Sequence, residues 1–160
     1  MANPATPAFH IELDTRRINE VLDGITSAAN EQVRAAAQAG AQVFYDEMLA
    51  RVPMSKKGHW FHGTSFKVNG TKYFYDAGTL KASIYQVYSK DHSTKSTAQY
   101  HVAWNHKACP YGFMVEYGTT SRAPAHPFLR PSYDAKAQDA LQAANVKFGE
   151  GMSKVVGIRG

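Results

Sequence analysis

The chain has 160 residues, a net charge of +5 and a single cysteine, enough for one domain with its own core, and no second domain is needed. No run of about 18 apolar residues reads as a membrane span, and the lone Cys109 excludes an internal disulfide framework, in keeping with a reducing compartment. The charge is uneven: three basic residues stand against seven acidic ones in residues 1–50, nine against two in 51–107, and six against four in 108–160.

The opening residues MANPATPAFH lack the basic start and apolar centre of a signal peptide, which implies synthesis in the cytosol. Residues 1–13, with Pro4 and Pro7, read as a flexible arm. Asp14 suits the cap of a short helix carrying Ile18, Val21, Leu22 and Ile25 on one face, with Gly24 interrupting or ending it. A longer helix is expected from about Ser27 to Arg51, with Val33, Ala37, Gly40, Phe44 and Met48 on a stripe and Pro53 as its terminator. The small residues around Ala35 to Ala41 admit another backbone closely, either the chain's own sheet or a neighbouring copy.

Residues 54–76 hold a hairpin signal, Asn69-Gly70 between alternating residues, which predicts strands through Phe66 and Val68 and through Tyr73 and Tyr75. Such an aromatic hairpin either projects as an arm toward a neighbour or folds back on its own sheet. Thr79 suits the cap of a turn that presents Leu80, and Ile84 to Tyr88 and Tyr100 to Trp104 alternate as an antiparallel strand pair. Tyr111 to Tyr117 fits a strand or a helical turn equally, and Gly118 ends it in either case. The hydroxyl run 119–121 and the prolines at 124, 127 and 131 make an ordered loop, inside which Phe128 and Leu129 must be covered. Pro131 or Ser132 begins a closing helix with Tyr133, Ala137, Ala140, Leu141, Ala144 and Phe148 on one stripe, Gly149 near its stop, and 150–160 as a loose tail.

The run VEYGTTSRAPAHPFLRPSYD, with the upstream Pro53 and GTLKASI at Gly78 to Ile84, resembles the head-tail joining or tail-completion proteins of long-tailed bacteriophages. The similarity spans about Val33 to Phe148. It departs from the family pattern in reversing a threonine-glycine pair to Gly78-Thr79 and in the longer interval between Pro53 and Gly78. The resemblance implies a structural virion protein of the neck that forms a ring, hexameric by the symmetry of long tails, at the head-proximal end of the tail. Its partners would be the tail-tube or tail terminator protein and the head-side connector proteins, with no membrane involved and no cofactor. A tail terminator that caps the tail tube is the near alternative.

Within the basic middle third, Lys56, Lys57, Lys67 and Lys72 are the candidate DNA-facing residues of a neck channel, against the simpler reading of a solvated face. His59, His62, His106 and Cys109 have spacings that four zinc ligands could use, but with no CxxC the pairing argues for no metal. No nucleophile elbow, phosphate loop or HExxH accompanies the histidines, and the expectation is a protein that is not an enzyme. Glu116 is expected to accept loop amides or to pair with Arg122 or Arg130. With Tyr117, His126, Phe128, Leu129 and Arg130 it forms the set of loop-anchoring or subunit-boundary candidates. The fold class is α+β: a long N-terminal and a C-terminal helix packed on a small antiparallel sheet, with an extra hairpin.

Overall fold

Helix α1 runs unbroken over Arg16–Arg51 in the computed structural model, which describes residues 14–61, 70–119 and 124–157. The Asp14 carboxylate accepts the Arg16 amide at 3.0 Å and so meets one of the unpaired donors of the first turn. The expected break at Gly24 does not occur. A glycine inside a helix costs about 0.5–1 kcal/mol, less than ending one helix and starting another with their unpaired backbone groups. Val52, extended at φ −57° and ψ 125°, ends α1 ahead of Pro53, which disfavours helical geometry in the residue before it.

Beyond α1, strands β1 (His59–Phe61) and β2 (Tyr73–Tyr75) pair antiparallel, with Trp60 opposite Phe74. Tyr73 and Tyr75 are in a strand as expected, but their described partner is His59–Phe61; Phe66, Val68 and Asn69 lie outside the described residues. A single turn, α2 (Thr79–Ala82), follows Gly78, whose φ of +84° suits glycine. Thr79 does not cap by accepting an amide; its hydroxyl donates to the Asp76 carbonyl at 2.7 Å. Strands β3 (Ile84–Tyr88) and β4 (Tyr100–Trp104) pair antiparallel, Ile84 with Trp104 and Tyr88 with Tyr100.

The segment left open between strand and helix is helical: α3 spans Gly112–Tyr117 and stops at Gly118, where φ is +75°. Helix α4 covers Leu129–Gly157, beginning two residues before Pro131 and continuing through Gly149. Pro131 is tolerated because in the first turn its missing N–H has no helical partner to lose. Gly149 is not the stop, and residues 150–157 of the expected tail are helical.

Helices α1 and α4 pack antiparallel along their small-residue faces. A side chain at Gly40 would bring its Cβ within 3.0 Å of the Ala140 carbonyl, so this glycine sets how closely the two backbones approach. α1 also crosses β3–β4, where the Arg34 guanidinium lies 4.3 Å over the Tyr88 ring. The buried core joins Met48, Val52, Leu80, Ile84, Cys109, Tyr111 and Phe128. An α+β fold of two long helices and two small antiparallel sheets is thus what the chain adopts.

Candidate functional site

One side chain of α3 holds the start of α4. Glu116 is fully buried, and its Oε2 accepts the amides of Phe128 at 2.7 Å and Leu129 at 2.9 Å. Its Oε1 accepts the Arg130 amide at 3.2 Å and the Arg130 Nε at 3.1 Å. These amides belong to the start of α4, so a carboxylate from α3 does the work that an adjacent capping side chain would otherwise do, on the positive end of the helix. Pro131, the next residue, brings no donor to satisfy. Burial alone pushes the Glu116 carboxyl up, but the Leu129, Phe128 and Arg130 amides and the Arg130 guanidinium together hold it below the ordinary carboxylate range.

Arg130 closes the junction from outside. Its Nη2 donates to the Glu116 carbonyl at 3.4 Å and its guanidinium lies 4.5 Å over the Tyr117 ring. Tyr117 in turn stacks with Phe113 at 4.5 Å between centroids, and both rings remain exposed. The His126 amide donates to the Val115 carbonyl at 2.8 Å, tying the loop a second time. Its side chain helps line a cleft of about 270 Å³ with Met54, His59, Gly78 and Tyr111. Phe128 is fully enclosed in the core against Trp104, with ring centroids 5.7 Å apart, and Leu129 is half-buried beside it. Ser132 completes the turn by donating to the Phe128 carbonyl.

Among the named candidates, then, Glu116, Tyr117, Phe128, Leu129 and Arg130 meet in one place, His126 touches its edge, and Arg122 lies outside the described residues. Lys56, Lys57 and Lys72 are exposed around the β1–β2 hairpin, and Lys67 lies outside the described residues. His59 makes ring contacts with Tyr75 and Tyr111, at 6.1 and 4.8 Å. Cys109 is buried, which pushes its thiol up. Among the described residues no three of His, Cys, Asp and Glu are placed to hold a metal ion, and no helix is long and apolar enough to cross a membrane.

Three contacts had not been anticipated. Gly112 leaves room for the Trp104 indole, whose Nε1 would lie 2.3 Å from a Cβ there. Trp60 and Phe74 form an outward aromatic pair with centroids 5.2 Å apart, 61% and 51% exposed. Phe44 and Tyr133 stack at 5.4 Å beside a cleft of about 560 Å³ between α1, β4 and α4. The alternation of HWF against YFY carried the signal for the aromatic pair, overshadowed by the Asn69-Gly70 turn.

No family model, no curated protein and no solved structure matches this chain.

Proposed function

We propose that this chain is a structural component of a long-tailed phage neck, a tail-completion or head-tail joining protein that assembles into a ring at the head-proximal end of the tail. One observation carries the reading: several residues that carry the resemblance, Val115, Glu116, Phe128, Leu129 and Arg130, are joined by hydrogen bonds in a single junction with His126. The described residues of VEYGTTSRAPAHPFLRP, 115–119 and 124–131, form one junction. It fixes α3 to the start of α4 and makes a rigid block from which Tyr117, Phe113 and Arg130 face outward.

A ring component needs such a block and, in addition, surfaces left for its neighbours. Large apolar residues remain exposed on the first turns of α1, on the hairpin and along α4, where Tyr133, Leu141 and Val146 are each more than half exposed. Head-to-tail contacts between unlike surfaces close into rings when the rotation permits, and six-fold tails set the expected copy number at six. The tail-tube or terminator protein would meet one face and the head-side connector the other.

The test is the mass of the purified protein by light scattering across a concentration series, alone and with isolated tails. A ring in solution or on tails is the expected result. A monomer that ignores tails yet binds duplex DNA in a salt-dependent manner would replace the assembly role with a DNA-binding one.

A further inference from the structure

Two exposed apolar patches lie at opposite ends of the molecule and differ in charge. The first is on the opening turns of α1, where Ile18, Val21, Leu22 and Ile25 are 57%, 44%, 54% and 42% exposed. At helical spacing Ile18, Leu22 and Ile25 fall on the same side as Ala36 and Gly40, which are buried against α4. The stripe thus prolongs the seam that α4 fills. α4 runs antiparallel to α1, placing Gly151 beside Gln32, and among the described residues Ile18 and Leu22, ahead of that contact, stay more than half exposed. Residues 14–31 carry Asp14, Glu20, Asp23 and Glu31 against Arg16 and Arg17, a net charge of −2.

The second patch is the outer face of the β1–β2 hairpin, the Trp60–Phe74 pair. Residues 54–61 and 70–76 carry Lys56, Lys57 and Lys72 against Asp76, a net charge of +2. The inner face of the hairpin, through Phe61 and Tyr75, packs on the core near the C-terminal end of α1. From Leu22 to Val52 the helix spans about 45 Å at 1.5 Å per residue, so the hairpin of a copy cannot reach that copy's own stripe.

We infer that the Trp60–Phe74 pair of one copy docks on the Ile18–Ile25 stripe of the next, a head-to-tail contact between copies of this chain. The inference rests on the ring reading above and says which surfaces make the ring. Charge selects this pairing. Stripe on stripe would bring two acidic segments together and hairpin on hairpin two lysine-rich ones, whereas hairpin on stripe joins opposite signs. Glu20 and Asp23 lie on the far side of the helix from the stripe, so the lysines act by attraction at a distance and by orienting the approach more than by contact pairs. Affinity comes from the aromatic pair, the residue type that dominates interface energetics.

The experiment uses two full-length variants, Trp60→Ala, which keeps the stripe, and Leu22→Glu, which keeps the hairpin. Both positions are exposed, so at concentrations where the native chain is itself dissociated an unchanged Tm and circular dichroism spectrum are expected. Sedimentation should show each variant self-associating at least about thirtyfold more weakly than the native chain, the scale of a central aromatic anchor. Mixed in equal amounts they should form a heterodimer and stop there, since only one hairpin and one stripe remain competent. Lys56→Glu with Lys57→Glu should weaken association in a salt-dependent way, and adding Glu20→Lys with Asp23→Lys should restore it. A native chain that stays monomeric, variants that assemble like the native chain, or a mixture without heterodimer would each overturn the inference. So would loss of oligonucleotide binding in Trp60→Ala with its assembly intact, which would make the hairpin a nucleic-acid platform. A heterodimer from a protein that ignores isolated tails would keep the contact and discard the neck role; rings on tails that tolerate both substitutions would do the reverse.

Discussion

At the Glu116 junction an aromatic ring, Phe128, is wholly enclosed and a carboxylate is saturated with donors, whereas on the β1–β2 hairpin Trp60 stands 61% exposed beside Phe74. Both regions are rich in aromatic and charged residues. The difference is whether the chain satisfies them itself. The junction spends its side chains on its own backbone and so fixes geometry; the hairpin leaves its outer face unspent, and its inner face alone holds it in place through Phe61 and Tyr75. Substitutions at the first should therefore damage the fold, and at the second association alone.

The largest effect is expected at Phe128→Ala, which opens a cavity beside Trp104 and should lower stability by about 3–5 kcal/mol, read from chemical denaturation. Next comes Glu116→Gln. The amide cannot accept as a charged group does and sets an NH₂ against the helix amides, so a loss of about 2–3 kcal/mol is expected. This variant also has a pH signature. Because the folded-state carboxyl titrates below its unfolded value, the stabilisation it gives is complete above about pH 4.3 and is lost as pH falls through the lowered folded value. Denaturation midpoints of native and Glu116→Gln proteins should thus converge in acid and diverge above that range; parallel curves would show that the carboxylate's charge is not what matters.

Gly112→Ala should be milder, costing about 1–3 kcal/mol, as the added methyl meets the Trp104 indole and forces the ring or α3 to shift. Near-ultraviolet circular dichroism would register the displaced indole. Smallest in stability is Trp60→Ala, expected to stay within about 0.5 kcal/mol in a thermal melt. A large fall in Tm there would erase the contrast between the two regions.

Much of the junction was legible in the sequence because its residues are chemically unambiguous. A carboxylate ahead of a glycine, closely spaced prolines, and a Phe-Leu pair that must be covered leave few arrangements, and backbone amides and Arg130 were among the partners expected for Glu116, though not which amides. What could not be read was that these donors open a helix, since Pro131 looks like a boundary from either side of the first turn. Helix ends misled for a shared reason. Gly24 and Gly149 are weak breakers whose cost neighbouring helical residues outweigh, so α1 begins before and α4 ends after the expected points. For the hairpin, the pairing of His59–Phe61 to Tyr73–Tyr75 was not legible because it goes with Phe61 and Tyr75 packing on the core, a contact that local turn chemistry does not encode.

The two tryptophans of the chain divide between these regions, Trp60 on the open hairpin face and Trp104 with its indole nitrogen enclosed above Gly112. The protein therefore carries two optical reporters with separate duties. Emission from Trp60 should be red-shifted and open to quenching by iodide until another surface covers it, while Trp104 should emit at shorter wavelength, shielded from the quencher, and change only when the domain itself opens. Assembly and unfolding can then be followed in one unlabelled sample, each through its own ring.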